Sequence, residues 1–242
     1  AMVGGQENTL NGNTMTFVMG QGNTASYAQY NMINGRNNVC YDSAYAVLMG
    51  RDNTVTSTSG SFTFGRSNSI TGAYSMAAGH SNTISAAYAV AFGYRSVSAN
   101  RGQVSLAGGR FSANGDAQAS LLVSRRSTTD NTQSELFLNG SSLRMLIPTD
   151  TTWLFSIFVA ARRTDADNES ASYKFEGCID NNAGTTALVG TVLSTILAED
   201  TAAWDVVVEA DNTNDALVIK VTGETSKTIR WVALTTLVQV TG

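Results

Sequence analysis

Glycine recurs at a near-constant interval through the first part of this chain, at Gly5, Gly20, Gly35, Gly50, Gly65, Gly79, Gly93 and Gly108, with spacings of 15, 15, 15, 15, 14, 14 and 15 residues. A fixed period of this size implies a unit that repeats in space. It is too short for a helical hairpin and too long for one strand. It suits a coil of two short strands and two tight bends, stacked on its neighbours as a parallel β-roll. The local pattern agrees: "AYAVLMG" at 44–50 and "AYAVAFG" at 87–93 read as strands with small Ala alternating with larger residues. Glycine is expected where the chain bends, because it tolerates positive φ.

Three residues after the first six glycines stand Asn8, Asn23, Asn38, Asn53, Asn68 and Asn82, and the seventh unit has Ser96 instead. Side-chain amides stacked at one point of rungs about 4.8 Å apart can hydrogen-bond along the stack and satisfy buried backbone groups at a bend. These Asn, with Gly20, Gly35, Gly50, Gly65, Gly79 and Gly93, are therefore expected to be structural. Cys40 shares a column with Leu10, Val55, Ile70 and Ile84 and reads as a small buried apolar side chain. The second cysteine, Cys178, lies in a stretch of different character, so no internal disulfide is expected. Three residues before glycine the unit carries Phe17, Met32, Val47, Phe62, Met76 and Val90.

Seven such rungs would make a thin rod of roughly 34 Å. A 15-residue coil encloses little interior, so Phe62, Phe92, Tyr45, Tyr74 and Tyr88 cannot all point inward. The remainder is expected to be buried against sister chains, and threefold closure lets three rolls hide one face each, as a homotrimer. Composition supports a strand-rich fold with a real core: 43% of the 242 residues are hydrophobic and 14% charged, with 22 Gly and one Pro. No run of 18 apolar residues occurs and the start has no signal-peptide pattern, so no membrane insertion is expected. Ala1-Met2 reads as a cloning remnant ahead of an internal fragment, and a parent protein extending upstream is expected.

The stretch "AYSMAAGHSNTISAAYAVAFGYRSVSA" (73–99) resembles the head repeats of YadA-type trimeric autotransporter adhesins, best at Ala77-Ala78-Gly79 and Ala89–Gly93. The resemblance covers about residues 3–110. It implies a left-handed parallel β-roll in a tight trimer, a repeat that phage tail fibres also borrow. No neck motif, heptad stalk or C-terminal barrel pattern follows, which favours a fibre whose repeats lead into a tip.

At about Gly108-Gly109 the chemistry changes. Residues 1–110 carry six Arg and three acids, whereas 111–242 carry six Arg, three Lys and sixteen acids, a swing from +3 to −7. The expected organisation is a β-roll over 1–110, a connecting segment over 111–132 and a C-terminal domain over 133–242. Strands are expected at 151–163, 172–180, 186–199, 204–210, 216–223 and 228–240, separated by turns rich in Gly, Asn and Asp. This spacing indicates an antiparallel β-sandwich or jelly roll. Strands 151–163, 186–199 and 228–240 are apolar on both faces, as central strands or strands between subunits would be. The run 135–191 also resembles the C-terminal β domains of phage tail-fibre and receptor-binding proteins, which implies a trimeric tip that contacts a host surface.

The candidate chemistry is sparse. His80 occupies a column with Gln6, Gln21, Arg36, Arg51, Arg66 and Tyr94, which reads as an exposed ladder of long polar side chains. Asp165, Asp167, Asn168 and Glu169, and likewise Asp211, Asn212, Asn214 and Asp215, are oxygen-rich turns of the sort that can hold calcium, but Asp and Asn between strands are also the ordinary turn formers, and turns without metal are expected. Glu176, Glu209 and Asp205 are the acids a carboxylate-pair hydrolase would use, but no nucleophile motif, triad or phosphate loop occurs, and no enzyme activity, metal or cofactor is expected. The acidic second part disfavours nucleic acid. The expected role is a phage tail-fibre receptor-binding protein on the extracellular face of a virion, with itself, an upstream fibre or baseplate protein and a bacterial cell-surface glycan or protein receptor as partners. The alternatives are a bacterial surface adhesin head, a purely structural fibre segment or a capsule-degrading hydrolase.

Overall fold

Two series of short strands alternate along the first half of the chain: β1 (Met2–Gln6), β2 (Thr9–Asn11), β3 (Phe17–Gln21), β4 (Thr24–Ser26), β5 (Met32–Arg36), β6 (Val39–Tyr41), β7 (Val47–Arg51), β8 (Thr54–Thr56), β9 (Phe62–Arg66), β10 (Ser69–Ile70), β11 (Met76–His80), β12 (Thr83–Ile84), β13 (Val90–Tyr94), β14 (Val97–Ser98) and β15 (Val104–Ala107). The computed structural model describes residues 1–166 and 168–242, and every regular element among them is a strand. The odd-numbered strands β1 to β15 form one parallel sheet and β2 to β14 a second, each strand pairing with its counterpart one rung on, Gly20 with Gly35 and Val55 with Ile70. This is a parallel β-solenoid of about seven turns.

The glycine column marks a bend and also a close approach. Gly50 has φ +117°, and a Cβ placed there would stand 2.0 Å from the Gly65 carbonyl oxygen of the next rung. Bends elsewhere are made by left-handed residues at fixed places in the unit, Asn37, Asp52, Ser67 and Ser81 after the glycine and Tyr30, Tyr45, Tyr74 and Tyr88 before the next strand. Because every rung bends at the same residues, the side chains stack in columns.

Two of these columns fill the interior. Val18, Ile33 and Leu48 on one sheet share their rungs with Ala25, Cys40 and Val55 on the other; then Thr63, Ala77 and Ala91 share theirs with Ile70, Ile84 and Ser98, all fully buried or nearly so. The larger side chains thus pass from one sheet to the other along the roll, both sheets contributing at Leu48 and Val55 and neither at Ala91 and Ser98. The column Phe17, Met32, Val47, Phe62, Met76 and Val90 lies one residue earlier in the strand and therefore faces outward.

The first unit spans Ala1–Gln118 and the second Ala119–Gly242. Residues 111–118 fold back on the roll: Gln118 caps the Val97 backbone through both its amide atoms, and Asn114 bonds the Ser81 carbonyl and the Arg95 guanidinium. The stretch 111–132, expected to connect two domains, is thus in part a terminal cap and in part a twelve-residue strand, β16 (Ala117–Thr128).

The second unit continues with β17 (Ser134–Glu135), β18 (Met145–Leu146), β19 (Thr151–Arg163), β20 (Ser170–Asn182), β21 (Thr185–Glu199), β22 (Asp205–Asp211), β23 (Ala216–Thr222) and β24 (Ile229–Thr241). The last six strands lie within two residues of the expected bounds. One sheet runs in the order β16-β24-β19-β20-β21, and a smaller antiparallel sheet is built on β23, which pairs with β17, β18 and β22. Both contribute to one apolar core around Trp153, Phe155, Trp204, Ile219 and Trp231. Trp153 donates to the Gln239 amide oxygen at 2.9 Å and Trp231 to the Thr128 hydroxyl at 2.9 Å, so these buried indole N–H groups are satisfied.

Candidate functional site

The expected structural Asn residues meet as a continuous ladder. Asn53 is representative: its amide nitrogen donates to Asn38 Oδ1 at 3.0 Å and to the Gly65 carbonyl at 2.9 Å, and its Oδ1 accepts from the Asn68 backbone N–H and amide at 3.1 Å each. Asn8, Asn23, Asn38, Asn68 and Asn82 repeat this pattern, each bonding the glycine carbonyl of the following rung, Gly20, Gly35, Gly50, Gly79 and Gly93 in turn. Every such oxygen and nitrogen is used internally, which leaves this ladder nothing with which to bind a ligand. At the seventh rung Ser96 donates its backbone N–H to Asn82 Oδ1 and its hydroxyl to Ser105, closing the stack.

Cys40 is fully buried; its burial pushes the thiol up to about 12 despite a hydrogen bond from Ser43, so it stays protonated and inert. His80 stacks on Tyr94 with ring centroids 5.0 Å apart, as a member of the outward polar ladder. The candidate acids are engaged by protein donors. Arg163 bridges Asp165 and Glu169, Lys227 also pairs Glu169, and hydrogen bonding to these cations outweighs partial burial to hold both carboxyls below their ordinary values. Asp211 accepts from Thr213 and Asn214, and Asn212 and Asp215 both bond Thr186. Asp167 lies outside the described residues. Glu176 pairs Lys174, and Glu209 pairs Lys220. Among the described residues no three His, Cys, Asp or Glu gather as a metal site.

What remains is surface. On the roll, the outward faces of the odd-numbered strands carry an apolar column, Phe17, Met32, Val47, Phe62, Met76 and Val90, and beside it a second, Met19, Asn34, Met49, Phe64, Ala78, Phe92 and Leu106, apolar except at Asn34. Met32, Phe62, Phe92 and Leu106 are exposed. A second feature is a tyrosine stack at the bend before these strands, with Tyr30 on Tyr45 at 5.1 Å, Tyr74 on Tyr88 at 5.4 Å and the Arg101 guanidinium over Tyr88 at 4.2 Å.

In the second unit, β19 and β24 alternate strictly, one face in the core and the other outward. The outward face is nonetheless apolar: Leu154 pairs across with Val238, Phe158 with Leu234, Ala160 with Val232, and Leu121 and Val123 of β16 belong to the same exposed set. Of the two expectations for β21, a central strand or a strand between subunits, the first is not met. It ends the sheet, and Val189, Leu193, Ile196 and Leu197 are all exposed, while Leu188 and Val192 pack against the core. Sequence reasoning recognised that these strands were apolar on both faces but not which of them would lie at the edge.

A family model described as a grass antifreeze beta roll matches residues 1–93, in agreement with the solenoid. No curated protein matches. Solved structures similar to the chain include the tailspike gp49 from Acinetobacter baumannii bacteriophage Fri1, a capsular polysaccharide depolymerase (11% identity, 92% of this chain and 41% of that one, TM-score 0.30). The Acinetobacter phage vB_ApiP_P1 tailspike (12%, 98% and 54%, TM-score 0.28) and the Acinetobacter baumannii phage AM24 tailspike (12%, 96% and 57%, TM-score 0.27) are further examples. The chain spans about half the length of these structures. Similarity at this level assigns no activity.

Proposed function

We propose that this chain is a homotrimeric attachment protein of a phage-like particle, binding a bacterial surface glycan. The observation that carries the reading is the outward apolar surface: each unit, taken by itself, leaves a multi-strand sheet face of Met, Phe, Leu and Val in water, more than scattered surface residues account for. Three copies that cover such a face mutually remove it from water. The likeness of the repeats to YadA-type heads and of 135–191 to tail-fibre tips supports attachment as the use of such a trimer, with the second unit read as an antiparallel sandwich. Three equivalent weak sites then act by avidity, each contact raising the effective concentration for the next.

Fluorescently labelled full-length chain, incubated with a panel of capsulated and acapsular bacterial strains, tests this. Binding is expected to at least one strain and to fall at least tenfold after periodate oxidation of that strain's surface sugars. A chain that binds no strain is a spacer, and release of reducing ends from the purified polysaccharide would make it a hydrolase.

A further inference from the structure

The repeat shortens from 15 to 14 residues after Gly65, and the change leaves a notch. In the first four rungs the bend after the even-numbered strand holds two residues before the bridging position, Tyr27-Ala28 before Gln29, Asp42-Ser43 before Ala44 and Ser57-Thr58 before Ser59. In the next rung only Gly72 stands between Thr71 and Ala73, which is why Gly65 and Gly79 are 14 apart. The corner therefore loses its outermost residue after Ser57. At this step lies a cleft of about 350 Å³ lined by Tyr27, Gln29, Asp42, Ser57, Ser59 and neighbouring small residues.

The lining has a definite chemistry. Asp42, Gln29, Ser57 and Ser59 make no side-chain hydrogen bond among the described residues, so a carboxylate, an amide and two hydroxyls are open to a ligand. Tyr27 offers a ring that is 56% exposed and is fixed by packing over Gly12 and edge-on to Tyr41 at 6.0 Å. The apolar part of the lining besides Tyr27 is Ala44 and Ala73, too small to anchor an apolar side chain, and the lining has no cation to take a phosphate or carboxylate. The volume is at the lower end of the about 300–1,000 Å³ typical of small-molecule sites.

We infer that this notch is a saccharide site, in which a neutral or amino-bearing sugar ring lies against Tyr27 and donates hydroxyl or ammonium hydrogens to Asp42, with Gln29, Ser57 and Ser59 completing the contacts. This rests on the attachment reading and names the part of the chain that touches the glycan. It takes one sugar unit rather than a long chain, so each contact is weak and needs the multivalency of the assembly.

Saturation-transfer NMR on the full-length chain with glucose, galactose, N-acetylglucosamine, N-acetylgalactosamine and galactosamine in turn tests it. Transfer to at least one sugar is expected, reduced at least fivefold in Tyr27→Ala and in Asp42→Asn and unchanged in Tyr88→Ala, an exposed ring outside the notch. Ser59→Trp, which fills the cleft, is expected to abolish it. The same variants are then applied to the strain that the wild-type chain binds, where loss of cell binding supports the inference. No transfer to any sugar, or equal transfer to the variants, overturns it. Undiminished cell binding by the variants overturns it while leaving attachment intact; notch-dependent transfer from a chain that binds no cells keeps the sugar site and removes the attachment reading.

Discussion

Gly50→Ala is expected to destabilise the roll by about 4–5 kcal/mol, at the extreme of single-substitution effects. The new Cβ would meet the Gly65 carbonyl oxygen at 2.0 Å and its carbon at 2.9 Å, both backbone atoms of the neighbouring strand that no rotamer change can move. The backbone cannot rotate away either, since φ of +117° is open to glycine and strained for any other residue. Relief requires β7 and β9 to separate where Gly50 and Gly65 pair, and the columns on both sides of that rung then lose register. Gly108→Ala is the control. It lies after the last strand of the roll with nothing within 4 Å and no positive φ, and is expected to change stability by no more than about 0.5 kcal/mol. Guanidinium unfolding of the two variants beside wild type reads the difference, and equal midpoints would mean that the glycine column is not a steric requirement.

Asn53→Ala is expected to cost about 3 kcal/mol or more by a different route. The side chain lies fully inside the coil, and its removal orphans the Asn68 backbone N–H below it and the Gly65 carbonyl beside it, each worth about 1–3 kcal/mol when buried without a partner. Asn53→Asp separates this from simple loss of packing. It keeps an acceptor for Asn68 but turns the atom that donated to Asn38 Oδ1 and to Gly65 into a second acceptor, and adds a buried charge. Burial, together with the Asn38 and Gly65 oxygens that the lost amide hydrogens had bonded, raises such a carboxyl's folded-state pKa, so the destabilisation should grow as pH rises from the acidic range toward neutrality. If Ala and Asp were both tolerated within about 0.5 kcal/mol, the amide ladder would be a passive consequence of stacking rather than a part of what holds the rungs together.

The solenoid was legible in the sequence because its two determinants, a glycine that must lie against the next rung and an amide that must bond it, allow few substitutes. The last six strands were legible because apolar alternation is interrupted by Asp-, Asn- and Gly-rich turns. β16 was not, since its faces are mixed: Ser120 and Ser124 face inward beside Leu122, while Leu121 and Val123 face out. Nor could the pattern separate the interior column of Val18, Ile33 and Leu48 from the outward column of Phe17, Met32 and Val47, because both are apolar and the strand period only says that they oppose. The same ambiguity is the physical signature of an apolar surface that solvent alone does not explain. The notch was visible only as a change of period from 15 to 14, and which corner residue drops out follows from the pairing of Ser59 with Ala44 and the place of Ala73 beside them, which spacing does not reveal.

The mass of the full-length chain in solution, measured by light scattering at micromolar concentration, tests the central claim most directly. Mutual covering of the apolar faces predicts a particle of three times the 25.5 kDa chain mass that persists on dilution. A stable particle of 25.5 kDa, soluble with Phe62, Phe158 and Leu234 in water, would contradict it.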